Sequence, residues 1–343
     1  MLAIVAHAAR DLRVEEWPTP ELGDAQVRVR IAAGGICGSD LHYYNHGGFG
    51  VVRLREPMVL GHEIAGVVEA VGAGASRVKP GDRVAVNPSR PCNACKYCLE
   101  GRQNHCLDMR FYGSAMRFPH IQGGFREQLV CEESQVHVVA DGVSLGEAAM
   151  AEPLAVCLHA ARRAGPLLGK RVLVTGSGPI GALCVIAARR AGAPEIVVTD
   201  VADGALSFAR EVGADATINV ATNPEALAPF SSDKGAFDVM FEASGNEAAL
   251  RGALDVVRPG GIIVQLGLGG EMKLPVNTIV AKEIELRGTF RFHEEFALAV
   301  TLIGKKLVDV KPLISATLPF TKANEAFELA KDRTRSMKVQ LAF

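Results

Sequence analysis

The sequence predicts an α/β protein of two domains, one of them carrying a doubly wound parallel sheet. Three observations predict it. Strands alternate with helical segments from about residue 149 onward, and the turn Gly176-Ser177-Gly178-Pro179-Ile180-Gly181 lies inside that region. Four cysteines, Cys92, Cys95, Cys98 and Cys106, interrupt an N-terminal half that otherwise reads as β-rich. At 343 residues the chain is long enough for two separate cores.

Val27, Val29 and Ile31 alternate with Arg28 and Arg30, the pattern of a strand with one buried face. Residues 64–71 form a second strand, stopped by Gly72 and Gly74, and Lys79-Pro80-Gly81-Asp82 is a turn into a short strand over 83–86. Apolar periodicity lapses over 89–106, and a loop of this length needs something other than a core to order it. Farther on, residues 171–175, 195–200, 237–242 and 261–267 read as buried strands, and 181–191 as an alanine-rich helix. After about Gly288 the chain is expected to return to the first domain and end in a strand over 338–343.

The formal net charge of −1 carries no electrostatic footprint for nucleic acid or for an anionic membrane. The longest uncharged run, residues 172–188, contains the glycine turn and a proline, so it reads as strand, turn and helix start and not as a membrane span. The N-terminus has no basic region and too short an apolar stretch for a secretion signal. Eight cysteines in that context argue for reduced thiols and metal ligands in the cytoplasm.

The cysteines follow the spacing C-x2-C-x2-C-x7-C. Short spacers let four thiolates reach one tetrahedral zinc at about 2.3 Å. An iron–sulfur cluster fits less well, because the last spacer is long and Leu107, not proline, follows Cys106. Four unliganded cysteines in a polar loop would go against the preference of free cysteine for cores. With no ligand position left over, this zinc is expected to be structural. Cys37, His62 and Glu63 offer a second ligand set of the kind that leaves zinc an open position, although by residue type alone a lone Cys37 reads equally well as a core residue.

The glycine turn follows a buried strand, opens a helix, and precedes Asp200 at the end of the next strand. In that context Gly176 allows the tight turn, Gly178 admits a pyrophosphate, Gly181 permits close helix packing, and Pro179 and Ile180 begin the helix. Asp200 suits ribose hydroxyls and repels a 2′-phosphate, and no Lys or Arg occurs over 201–209 to compensate. NAD is expected, with NADP as the alternative.

Gly61-His62-Glu63-x-x-Gly66, with Gly72 beyond it, resembles the signature of the zinc-containing medium-chain alcohol dehydrogenases. Cys37-Gly38-Ser39-Asp40-Leu41-His42-Tyr43 resembles their polyol (sorbitol-like) branch, and the cysteine lobe and glycine turn fall where that family has them. Residues 110–120, Thr289-Phe290-Arg291-Phe292 and the ending Lys338-Val339-Gln340-Leu341 are most similar to members that oxidise a sugar acid, idonate. The resemblance implies a GroES-like catalytic domain over 1–150 and 289–343 with its zinc lobe at 89–107. It also implies a Rossmann NAD-binding domain over 151–288, two zinc ions per chain, and a homodimer or homotetramer.

Within the site, the resemblance implies that Glu152 approaches the catalytic zinc directly or through water and exchanges there with Glu63. Cys157, five residues on, is a rival ligand on another side of the same helix and reads better as core, as do Cys131 and Cys184. Ser39 and His42 match the family's proton relay from the alcohol, by way of the cofactor ribose, to solvent. Arg291 matches an arginine lining the cleft and is the first choice for a substrate carboxylate, with Arg117 and His120 as second choices. Tyr43 and Phe118 are expected to line the same cleft. A neutral polyol such as sorbitol, xylitol or threitol is the nearest alternative substrate. A zinc-free or non-catalytic relative of the fold is a third reading, which the presence of Cys37, Ser39, His42, His62 and Glu63 together argues against.

Overall fold

Six parallel strands stand in the spatial order Ala216–Asn219, Glu195–Asp200, Arg171–Thr175, Phe237–Glu242, Val257–Gln265, Glu285–Gly288. The strand that comes first in the chain lies inside the sheet, and the order reverses beside it, which opens a crevice between Thr175 and Glu242. The structure is a computed structural model describing residues 1–343. Val172 and Val174 pack with the helices Ala151–Ala164 and Pro179–Arg190, while Leu173 faces the opposite core with Phe237, Leu250 and Leu254. Both faces are therefore covered, which is why these strands read as continuous apolar runs.

The second sheet centres on the strand Gln26–Gly35, antiparallel to Glu63–Val71 along one side. Its other side is shared: Gln128–Glu132 pairs with the first half, and Lys338–Ala342 with Ala33 to Gly35. Val27, Val29 and Ile31 are buried, as their alternation requires. The C-terminal strand thus ends beside the residues that lead into Cys37.

Two expectations shift. The strand expected over 261–267 is Val257–Gln265, because Gly260, at φ 67, turns the chain within it and lets Val257 pair with Phe237 ahead of the regular ladder. The lobe after Ser89 is not a bare loop but contains the short helix Lys96–Leu99 and the turn Gln103–His105. Residues 172–188 form strand, turn and helix, and no helix in the structure is long and apolar enough to cross a membrane.

The helix Ala151–Ala164 joins the two halves. It packs in one apolar cluster with Ala33, Ala65 and Ala85 of the N-terminal strands and with Phe292 and Phe296 beyond residue 288. Glu295 fastens the joint: its carboxylate accepts hydrogen bonds from His159 (3.0 Å), Arg162 (3.3 Å) and the His293 N–H (2.9 Å). Burial raises the Glu295 pKa, but His159 and the backbone N–H groups of His293 and Glu295 outweigh it and bring it down to about 2. A group depressed in the folded state contributes stability above its unfolded pKa and loses it as pH falls through the folded value. Glu295→Gln is therefore expected to flatten the acid-unfolding profile between the ordinary value of 4.5 and about 2. Circular dichroism against pH checks this, and an unchanged acid limb would remove Glu295 from the joint.

Candidate active site

Cys37 follows the central strand by two residues and caps the helix Gly38–His46. Its N–H donates to Asp40 Oδ2 at 3.0 Å, and Asp40 Oδ1 accepts the Gly61 N–H at 3.2 Å. Asp40, completely buried, so draws the strand end and the Gly61-His62-Glu63 turn to one point. Cys37, His62 and Glu63 consequently converge, with one potential ligand atom of each within 4.8 Å of the others. Gly35 is required there, since a Cβ on it would fall 2.1 Å from Glu63 Oε2.

Negative charge gathers around His62. Burial lowers its pKa, but Asp40, Cys37 and Glu152 outweigh burial and raise it well above the usual imidazole range. His62 Nδ1 is buried without a hydrogen-bond partner, 3.8 Å from Asp40 Oδ1. Thiol, imidazole and carboxylate converging on one point form a donor set that suits a zinc ion. Glu152 lies outside the trio, at the start of the helix Ala151–Ala164, where burial pushes its carboxyl up to about 7. Cys157 is fully buried and its thiol donates to the Ile180 carbonyl at 3.3 Å, a packing role. Cys131 and Cys184 are likewise core.

Lys338 supplies the positive charge inside this region. Its Nζ donates to both Glu63 oxygens (2.7 and 2.8 Å) and to the Ile36 carbonyl (3.1 Å), and the side chain is 3% exposed. Sequence reading passed over Lys338 and Asp40. Asp40 carried a signal, since an acid three residues after a cap position closes a capping box. Lys338 carried none, because its partner lies across the sheet.

The four lobe cysteines converge as well. Their sulfurs lie within 4.8 Å of one another, with Cys95–Cys98 at 3.6 Å and Cys92–Cys98 at 4.0 Å. Ligands at about 2.3 Å around one tetrahedral ion stand about 3.8 Å apart. Backbone N–H groups of Cys92, Cys95, Leu107 and Asp108 point at these sulfurs, as thiolates demand; Leu107 in particular helps lower the Cys95 pKa to about 6.

Among the residues expected to line the cleft, Tyr43 is buried, its hydroxyl accepting the Ala115 N–H at 3.0 Å. Arg291, at φ 54, lays its guanidinium over Phe111 (4.2 Å) and Phe290 (4.9 Å) and donates to Met116 Sδ. No carboxylate lies within ion-pair distance of it. Burial lowers its pKa to about 10, against Glu152 and Tyr43, so it stays charged at neutral pH. The other candidates are already engaged. Arg117 pairs with Asp108, and both His120 ring nitrogens are taken, by the Arg117 carbonyl (2.7 Å) and the Arg55 N–H (2.9 Å). Phe118 is half exposed under the Arg55 guanidinium. Ser39 and His42 occupy the helix Gly38–His46, with His42 beside Phe49. Burial, then His46 and Arg333, lower the His42 pKa.

Gly176 takes φ 86, and a Cβ on Gly181 would lie 1.8 Å from the Gly176 carbonyl, so neither position accepts a side chain. Gly178, ahead of Pro179 and Ile180 at the helix start, faces open space. Asp200 is pinned by three N–H groups: Ser177 to Oδ2 (2.6 Å), and Val201 and Ala202 to Oδ1 (2.7 and 3.0 Å). Across the crevice Glu242, wholly buried, accepts the N–H groups of Ser244 and Gly245 and so shapes the opposite wall. That wall went unread, though Ser244-Gly245 after a strand is a turn signal.

A model of the alcohol dehydrogenase GroES-like domain matches residues 23–141, and a model of the zinc-binding dehydrogenases matches residues 179–305. The chain belongs to the zinc-binding alcohol dehydrogenase family. It is 46% identical over 316 residues to the L-idonate 5-dehydrogenase (NAD(P)(+)) of Escherichia coli strain K12, with 92% of this chain and 91% of that protein covered. Sorbitol dehydrogenase of Gallus gallus is 40% identical over 344 residues, covering 99% and 96%. The crystal structure of the Escherichia coli L-idonate 5-dehydrogenase superposes with a TM-score of 0.96 at 44% identity, over 100% of this chain and 98% of that one. The resemblance read from the His62 and Cys37 motifs thus agrees with the comparisons.

Truncating Lys338 would leave the Glu63 carboxylate buried and unpaired. Lys338→Met is expected to lower the unfolding free energy by about 3–5 kcal/mol. Urea denaturation measures it, and a loss under about 1 kcal/mol would mean that the pair behaves like an exposed one.

Proposed function

We propose that this dehydrogenase oxidises a secondary alcohol on a sugar acid, converting L-idonate to 5-keto-D-gluconate reversibly, with NAD preferred over NADP. The observation that carries the substrate reading is Arg291, a charged guanidinium held by aromatic faces with no carboxylate of its own. Its fork suits bidentate recognition of a carboxylate at the far end of a sugar acid. The identity to L-idonate 5-dehydrogenase supports the same reading.

In this reading Cys37, His62 and Glu63 hold one zinc ion with Glu152 close by, and Cys92, Cys95, Cys98 and Cys106 hold a second, structural one. A zinc ion at the first site supplies a Lewis acid that lowers the pKa of a substrate hydroxyl, and NAD over the glycine turn supplies the hydride acceptor. Asp40 fixes the Cys37 end and the His62 turn so that the trio holds one geometry. Ser39 Oγ takes the hydroxyl proton, which passes by way of the cofactor ribose to the His42 ring and on to solvent; the lowered pKa of His42 keeps it an acceptor near neutral pH. Arg291 and Tyr43 orient the substrate, with Arg117, Phe118 and His120 shaping the rim. Gly176, Gly178, Pro179, Ile180 and Gly181 cradle the diphosphate, and Asp200 accepts the adenosine-ribose hydroxyls.

Residues 1–150 and 289–343 then act as the catalytic domain and 151–288 as the nucleotide domain, in a cytoplasmic homodimer or homotetramer. Arg291→Ala is expected to cut kcat/KM for L-idonate by roughly a hundredfold or more and to cost sorbitol much less, because only the acid loses an ionic partner. NAD reduction over L-idonate, D-gluconate, sorbitol and xylitol measures it. Equal losses would assign Arg291 to shared hydroxyl or cofactor contacts, and wild-type preference for sorbitol would overturn the sugar-acid reading.

A further inference from the structure

The adenosine end of the nucleotide crevice has a wall that comes from outside the parallel sheet. Beyond Asp200 the chain turns through Val201 and Ala202 into the helix Asp203–Glu211, and none of its residues over 201–209 is a cation. A different segment lies against that turn. A Cβ on Gly204 would stand 3.2 Å from the Thr334 carbonyl and 3.9 Å from the Arg333 carbonyl, so the two backbones are in contact. Residues 332–336 are themselves firmly built. Asp332 Oδ1 accepts the Thr334 N–H (3.1 Å) and hydroxyl (2.6 Å), and its carbonyl accepts the N–H groups of Arg335 (3.1 Å) and Ser336 (3.0 Å).

This turn carries two arginines that the protein leaves largely free. Arg333 is exposed and makes no side-chain hydrogen bond or ion pair, and the only carboxylate near Arg335 is Asp332, at 4.0 Å. The Arg333 charge also acts against protonation of His42. An anionic group on the ribose 2′ oxygen, one atom beyond the hydroxyls Asp200 accepts, would enter the space between the 201–204 turn and the 333–335 turn.

We propose that Arg333 and Arg335, contributed from the C-terminal segment, bind the 2′-phosphate of NADP and set how much NADP the enzyme accepts against the repulsion of Asp200. The inference rests on the nucleotide-site reading above. Asp200 alone would exclude the 2′-phosphate; two guanidinium groups on the adjoining turn offset that exclusion and leave a preference for NAD that is limited in size.

The test is cofactor binding to purified, metal-replete protein, followed by nucleotide fluorescence quenching or calorimetry without substrate. The double variant Arg333→Ala/Arg335→Ala is expected to weaken NADPH roughly tenfold or more, corresponding to loss of at least one charge-assisted contact. NADH should change less than about twofold. The fragment 2′,5′-ADP should lose affinity as NADPH does, and 5′-ADP should not. Raising salt should erode NADPH binding in the wild type more than in the variant. The Arg→Lys pair should recover part of the affinity. NADPH and NADH weakening alike would assign the arginines to the shared diphosphate and overturn the proposal, as would no change in either. Failure of the wild type to bind NADH would instead remove the nucleotide-site reading itself.

Discussion

Asp40 sits without solvent contact just beyond the last paired residues of two antiparallel strands, Gly35 and Glu63, where the ladder no longer holds the chain. One oxygen takes the N–H that opens the helix after Cys37, and the other takes the N–H of Gly61. A buried carboxylate is tolerable only when its lone pairs are used, so its burial enforces both contacts at once. Break either and the thiol, imidazole and carboxylate of the trio no longer share a point. Around this anchor the protein gathers thiol, imidazole and carboxylate groups in one buried place, with Lys338 paired to Glu63. That donor set is what a divalent cation would use.

The rest of the architecture serves that point. The central strand delivers Cys37, its antiparallel neighbour delivers His62 and Glu63, and the C-terminal strand returns beside both to insert Lys338. The helix Ala151–Ala164 brings Glu152 to the same region, and farther along it His159 and Arg162 grip Glu295, four residues beyond Arg291. One helix therefore positions Glu152 and the Arg291 segment together. It also packs against the parallel sheet, so the spacing between the Gly176 turn and the Cys37, His62 and Glu63 trio is set through a rigid element and not through loops.

Much of this was legible in the residues. The strands over 64–71, 83–86, 171–175 and 237–242 follow from alternation or continuous burial, and the four lobe cysteines follow from ligand type and spacing, whereas the Cys37, His62 and Glu63 set was legible only through the family resemblance of its motifs. Spacing works as a signal when the ligands share one loop, as Cys92 to Cys106 do. It fails for Lys338, which meets Glu63 only after the sheet has formed. It also failed for the second-choice cations: Arg117 and His120 look available in the sequence, but Asp108, Arg55 and the backbone use them. The two arginines at 333 and 335 lie far beyond any window drawn around Asp200, and only the Gly204 contact joins them.

The central claim is that the Asp40-anchored trio is a metal site in its own right, separate from the cysteine lobe. Diffraction data collected on either side of the zinc absorption edge, from crystals of metal-replete protein, test it most directly. The account predicts two anomalous peaks per chain, one among the four lobe sulfurs and one between Cys37 and His62. A peak confined to the lobe, with nothing between Cys37 and His62, would contradict it.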